Sequence, residues 1–231
     1  YEATPMKPRP DNPKFWHTTI EGNDGTIPAS LTAAEDTGSV MNDFKKLVYV
    51  TEGLTYWDLK PLGSPTTFIP IEIIQSRIKN LRKYGLKLVP YFCFSYVGTE
   101  IPYFKAFESE WRNHPGEIWN TPRGPAMFCN PKSSFKDYII WSAAMVYDKL
   151  KYDGVYLDVS RPFGSTSIFH NAGYEENGRR IPTANIFAMR EVFKRVYTHY
   201  HTGGRKGVLF LHGLNYPGTD AFTDVNTEGE S

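Results

Sequence analysis

Cysteine is scarce in this chain: only Cys93 and Cys129 occur, and neither stands at metal-ligand spacing. Both lie in apolar stretches and read as buried free thiols, with a single disulfide the lesser alternative. Long apolar runs are also missing. No stretch is long enough to span a bilayer and no signal-peptide core is visible, so no membrane partner is expected. Charge of one sign is absent too, with 26 Lys and Arg against 25 Asp and Glu and a formal net charge of +1. Without a basic run, a nucleic-acid partner has no electrostatic footprint. No Gly-rich fingerprint follows the first clear strand, and no phosphate-cradling loop occurs, which weakens a Rossmann reading. Ser160 and Ser165 lack a Gly-x-Ser-x-Gly elbow, which argues against a serine hydrolase. His170, His199 and His201 form no ligand pattern with nearby acids, so neither metal nor cofactor is expected.

What the chain has is bulk and aromatic rings. Its 231 residues are 40% hydrophobic, enough for one large domain. Aromatics reach 15%, with 15 Tyr, 15 Phe and 5 Trp. Large cores use aromatics heavily, and sugar-binding clefts stack pyranose rings on them; composition alone does not separate the two. Residues 1–13 carry four prolines and little apolar content, and read as an extended lead-in or linker. Residues 14–231 form the expected domain. The start at Tyr1 rather than Met reads as a processed or excised piece, with other domains of a longer chain as possible partners.

Hydrophobic patterning alternates between two kinds of segment. Strand-like runs are Lys46–Thr51, Leu86–Phe94, Asp153–Asp158, Gly207–His212 and Ala221–Glu230, with a weaker one at Phe15–Ile20. Helical spacing marks Pro70–Tyr84, Ser134–Lys151 and Thr183–His201. Two long connections, Ser95 to about Lys132 and the stretch after Asp158, exceed ordinary loop lengths and suggest functional loops or small inserted elements. The order strand, helix, strand argues for a parallel α/β sheet, and strands apolar on both faces agree. Polar and aromatic residues gather at the carboxyl ends of the strands, which favours a (β/α)8 TIM-type barrel. A complete barrel takes about 250 residues. With fewer than eight strands visible and an acidic strand end just before Ser231, the expected architecture is an incomplete barrel lacking its C-terminal units.

At those strand ends stand Glu52 and Trp57, Tyr91 and Tyr96, Asp158 and Arg161, His212 and Asn215, and Glu228 and Glu230. Glycoside hydrolysis typically uses two carboxyl groups across the scissile bond. Asp158 is the candidate nucleophile; the competing role is a structural Asp capping its loop. Asp153 belongs to the opening turn on the opposite face. Glu230 and Glu228 compete for the general acid, against the plain reading of a solvated chain end. Arg161 can hold a substrate hydroxyl, keep the nucleophile ionised by charge pairing, or make an ordinary loop ion pair. His212 can meet substrate or be a satisfied buried histidine. Glu52, Trp57, Tyr91, Tyr96 and Asn215 complete the candidate substrate-binding set. Trp57, Tyr96, Tyr103, Trp111 and Trp119 are candidate stacking platforms.

The runs LVYVTEGLTYW (Leu47–Trp57), GLKLVPYFCFSY (Gly85–Tyr96), DGVYLDVSRPFG (Asp153–Gly164) and PTANIFAMREVFKRVY (Pro182–Tyr197) resemble a family of uncharacterised glycoside-hydrolase-like barrel domains. That family is related to family 123 hydrolases and occurs in large multidomain bacterial proteins. The segment Cys129–Tyr138, followed by a helix and then DGVYLD, is also similar to the α-galactosidase and α-N-acetylgalactosaminidase barrels. The resemblance implies a glycoside hydrolase acting on an α-linked sugar with retention. It gives Asp158, on the fourth strand, the nucleophile role, and Glu230, with Glu228 second, the acid role on the sixth. It also implies a carbohydrate substrate and a secreted, periplasmic or cell-surface location. The alternative is a barrel that binds carbohydrate without catalysis.

Overall fold

The structure is a computed structural model, and it describes residues 17–20, 48–51, 75, 78, 79, 87–99, 101, 104–113, 118–121, 124–213 and 217–227. Six strands form one parallel sheet in chain order: β1 (His17–Ile20), β2 (Val48–Thr51), β3 (Lys87–Cys93), β7 (Gly154–Asp158), β12 (Val208–His212) and β13 (Val225–Thr227). Every neighbouring pair is parallel. Strands added one after another in the same direction are the arrangement of a β/α barrel. Among the described residues the sheet is open, with β1 and β13 at its edges: six parallel strands and no closed barrel stand where the sequence led to an incomplete (β/α)8 barrel.

Alternation divides each central strand between two cores. Val155 and Leu157 of β7, Leu209 and Leu211 of β12, and Phe92 of β3 face one way. There they meet two helices, α2 (Phe135–Asp148) and α3 (Ile186–His201). Helix α2 supplies Phe135, Ile139, Ala143 and Val146, which recur at helical spacing; α3 supplies Met189, Val192, Phe193, Val196 and Tyr200. Tyr200 is fully buried and donates its hydroxyl to the Ala143 carbonyl (2.9 Å). That burial pushes its phenol pKa well up, with the Asp148 charge adding to the effect. On the other face Val89, Tyr156, Val208 and Phe210 form a second, smaller core against Val225. Tyr156 and Phe210 meet edge to face at 4.7 Å.

Gly154 is needed where β7 meets β12, because a Cβ there would lie 1.9 Å from the Val208 carbonyl oxygen. The Asp-Gly pair that reads as a turn signal therefore marks a close backbone approach. Val208 N–H bonds the Asp153 carbonyl at 2.8 Å, which fixes Asp153 at the amino end of the sheet.

Both long connections hold secondary structure of their own. The first contains β4 (Tyr96–Gly98), α1 (Phe104–Trp111), β5 (Ile118–Thr121) and β6 (Gly124–Phe128), with the strands forming an antiparallel sheet in the order β4-β6-β5. The second carries β8 (Gly164–Ser165), a 3₁₀ turn (Ile168–His170), the hairpin strands β9 (Tyr174–Glu176) and β10 (Arg179–Ile181), and β11 (Thr183–Ala184), which pairs with β8. Thr183 and Ala184, expected in the third helix, are thus strand; α3 starts at Ile186. A short helix α4 (Pro217–Asp220) links β12 to β13.

Candidate functional site

Strands β7 and β12 each bury four residues and open at the fifth, at the same end. Those fifth residues are Asp158 and His212. Cys93 is the register partner of Asp158 and Thr227 that of His212. One row across the carboxyl end of the sheet therefore runs Cys93, Asp158, His212, Thr227. The side chains of Asp158 and His212 are each 17% exposed and meet, Nδ1 to Oδ1, at 2.9 Å. Tyr156, one layer below on the same face, has its hydroxyl 2.7 Å from the same Nδ1.

The backbone around Asp158 is held on both sides. Its carbonyl accepts from Phe94 N–H (2.8 Å), and its Oδ1 accepts from Val159 N–H (2.6 Å). The chain then bends at Val159, which adopts φ 54°. A β-branched residue in that region is strained by about 1–3 kcal/mol, and such strain clusters at functional sites. The bend lets Ser160 N–H reach the His212 carbonyl at 2.8 Å, while Ser95 donates its hydroxyl to the Val159 carbonyl at 2.9 Å. Gly213 completes the fit, since a Cβ there would meet the Ser160 carbonyl carbon at 2.9 Å. The carboxylate thus sits on a pre-organised backbone, as a reactive or ligand-orienting group requires.

Arg161 does not pair with Asp158 in the structure. Its guanidinium lies over the Phe163 ring, 5.1 Å from the centroid, and the residue is solvent-exposed. Charge pairing loses here to cation–π stacking because the bend at Val159 turns the following loop toward the β4-β6-β5 sheet. Tyr91 lies within β3 opposite Tyr156, one layer short of the Asp158 row, so it is not at the strand end. Tyr96 lies in β4. Glu52, Trp57, Tyr103, Asn215, Glu228 and Glu230 are outside the described residues.

A line of aromatic rings leads away from this end. Phe163 meets Phe128 edge-on at 4.5 Å, Phe128 meets Tyr96 at 5.0 Å, and Tyr96 meets Trp119 at 5.4 Å. Register explains the row: Tyr96 pairs with Phe128, and Trp119 pairs with Ala126, two residues along. Val97 and Met127, on the opposite face, enter the main core. Trp119 is 60% exposed at the end of the line. Trp111 has the opposite fate. It is buried, stacks on Phe107 at 5.0 Å and donates its indole N–H to Ser134 Oγ (2.9 Å), so it is packing.

Three other histidines, His170, His199 and His201, tie elements of the fold together. His199 Nε2 meets Asp148 at 3.0 Å and His201 Nε2 meets Asp224 at 3.0 Å. His170 donates from Nε2 to the Glu110 carbonyl (2.5 Å), with Ser167 Oγ at Nδ1 (2.8 Å). Burial lowers its pKa below 6.5, against the raising effect of the Glu110 carbonyl. Among the described residues, no group of three or more His, Cys, Asp or Glu is disposed to hold a metal ion. Nor is any described helix long and apolar enough to cross a membrane.

No family model matches the chain, and no curated protein matches it either; the kinship to family 123 therefore has no counterpart among these comparisons. Solved structures do resemble it. An α-galactosidase from Thermus thermophilus in complex with stachyose aligns with TM-score 0.54 at 14% identity, over 96% of this chain and 44% of that one. A noncanonic maltogenic α-amylase from Thermotoga neapolitana aligns with TM-score 0.54 at 9% identity, over 93% and 49%. A GH36 α-galactosidase from Geobacillus stearothermophilus aligns with TM-score 0.53 at 14% identity, over 90% and 29%. The chain spans less than half the length of each of these three proteins. Such likeness shows the fold: an α/β architecture of the kind found in glycoside hydrolases with TIM barrels.

Proposed function

We propose that the protein is a glycoside hydrolase acting on an α-linked sugar by a retaining, two-carboxylate route. In this reading β1, β2, β3, β7, β12 and β13 are strands one to six of an eight-stranded barrel, and Asp158 is the fourth-strand nucleophile. The observation that carries it is the half-buried Asp158 carboxylate at the carboxyl end of that strand, with Oδ1 fixed by Val159 N–H and by His212 from the next strand. Asp158 attacks the anomeric carbon as the glycosidic bond breaks, and Glu230, or Glu228, protonates the departing oxygen. Water then attacks the glycosyl ester, gives its proton to the glutamate and releases Asp158. In retaining enzymes the two carboxyl groups stand about 5 Å apart. Asp158→Asn and Glu230→Gln variants assayed on a panel of aryl α-glycosides test the reading. The expected result is loss of turnover in both, and undiminished turnover in both would sink it.

The row from Phe163 to Trp119 favours a second reading, a barrel that binds carbohydrate without cleaving it. The exposed Trp119 ring at the end of the row suits pyranose stacking, and the row starts in the loop that follows Asp158. Trp119→Ala is expected to weaken oligosaccharide binding by about 2- to 10-fold while leaving thermal unfolding unchanged. Binding by wild type without turnover on any glycoside tested would select this second reading.

A further inference from the structure

Backbone bonding along β7 alternates between its two neighbours. The Asp153 carbonyl accepts from Val208 N–H of β12 at 2.8 Å, and the Asp158 carbonyl accepts from Phe94 N–H, just past β3, at 2.8 Å. The backbone groups of odd-numbered residues therefore point to β12 and those of even-numbered ones to β3. Continued by one step, this ladder would bring Val159 N–H to the His212 carbonyl. Ser160 N–H meets that carbonyl instead, at 2.8 Å. The chain slips by one residue at Val159, as in a β-bulge, and the slip turns the Val159 carbonyl to the Ser95 hydroxyl at 2.9 Å. Val159 N–H, released from the ladder, donates to Asp158 Oδ1 at 2.6 Å. The left-handed residue of such a slip is usually glycine, which adopts that conformation without strain. Here it is a valine at φ 54°, partly buried against the main core. A packed β-branched side chain has little rotamer freedom, so it holds the bend, and with it the amide, in one orientation.

We propose that Val159 is a positioning residue for Asp158: its amide, freed by the one-residue slip, fixes the carboxylate, and its side chain keeps the bend from relaxing. The kinetic consequence rests on the hydrolase reading, in which Asp158 must meet the anomeric carbon in one orientation; the backbone arrangement stands without it. Glycine at this position would reach the same bend but leave it free to open, so the strain of a valine serves placement of the carboxylate rather than stability.

Amide hydrogen exchange, followed by NMR on the ¹⁵N-labelled full chain, tests the arrangement. Both the Val159 and Ser160 amides are expected to be protected, with Asp158→Ala speeding exchange at Val159 by about 10-fold or more while Ser160 stays protected. A Val159 amide that exchanges freely in the wild type, or stays equally protected in Asp158→Ala, would overturn the proposal. The wild type gives a second readout without any substitution: the Val159 amide proton resonance is expected to follow the protonation of Asp158 as pH is lowered, and a resonance that ignores it counts against the bond. Kinetics on an aryl α-glycoside read the consequence. Val159→Gly is expected to lower kcat about 10- to 100-fold with KM largely kept, and Val159→Ile, which restores the branch at Cβ, to recover most of that loss. An unchanged kcat in Val159→Gly would remove the positioning role. An inactive Asp158→Asn together with a freely exchanging Val159 amide overturns the Val159 proposal and leaves the hydrolase reading standing. A fully active Asp158→Asn with the expected exchange pattern upholds the Val159–Asp158 bond while removing the hydrolase reading.

Discussion

At the scale of single residues, environment decides what each titratable group does. His170 and His212 are the same side chain in two settings. His170 spends both nitrogens on Ser167 and Glu110 inside the fold, which ties the loop after Asp158 to α1. Burial lowers its pKa, so just below 6.5 the unfolded chain binds more protons at this site than the native state. Its contribution to stability is therefore complete above 6.5 and declines as pH falls through that value. His170→Gln, whose amide can still donate to the Glu110 carbonyl, is expected to flatten this part of the stability–pH curve. Urea denaturation of both proteins on either side of 6.5 checks it, and parallel curves would show that His170 is not the cause. Sequence placed His170 outside any metal pattern, but its role as a loop anchor depends on Glu110, 60 residues away, which no local pattern reveals.

At the scale of elements, the start of α2 shows how far local rules reach. A serine before an apolar helical repeat predicts an N-cap, yet Ser134 makes no side-chain cap bond. Ser133 Oγ accepts from Phe135 N–H at 3.1 Å instead. The Glu110 carboxylate, from the end of α1, accepts both Ser134 N–H (2.7 Å) and Ser134 Oγ–H (2.6 Å). A carboxylate at a helix N-terminus also meets the positive end of the helix dipole. Glu110→Ala is expected to destabilise the protein by about 1–2 kcal/mol, read as a lower denaturation midpoint with an unchanged slope. Glu110→Gln should recover part of that loss, because its amide oxygen can accept one of the two bonds. The boundary of α3 carries the same lesson. The Pro182–Tyr197 run has helical spacing, but Thr183 and Ala184 pair with β8, so strand pairing ends the helix at Ile186.

At the scale of the whole molecule, one face of the sheet carries the Asp158 row on an apolar layer. Val89, Tyr156, Val208 and Phe210 pack together beneath it, with Val225 beside them. Phe210 is fully buried and braces Tyr156, which in turn touches the His212 ring. Phe210→Ala is expected to cost about 3–5 kcal/mol, at the high end for a core truncation, because the edge-to-face ring contact goes with it. Chemical denaturation measures the cost, and a loss below about 1 kcal/mol would mean that this layer repacks freely.

Much of this molecule is dictated by local chemistry. Runs such as GVYLD and VLFLH are buried on both faces and must be central parallel strands, and the 3.6-residue spacing in 135–150 and 186–200 makes helices whatever lies around them. A carboxylate closing one of those strands marks the end of the sheet at which burial stops, for the same reason. Register and partnership are another matter, because they depend on atoms far apart in the chain. Only the packed sheet sets His212 beside Asp158, sends Arg161 to Phe163 instead, and leaves Tyr91 one layer down. Only it turns the long stretch after Cys93 into an antiparallel sheet whose aromatic face ends at Trp119. Hydrophobic periodicity encodes which way a side chain faces, whereas the residue it meets is decided by the alignment of neighbouring strands, and that alignment exists only once the core has formed.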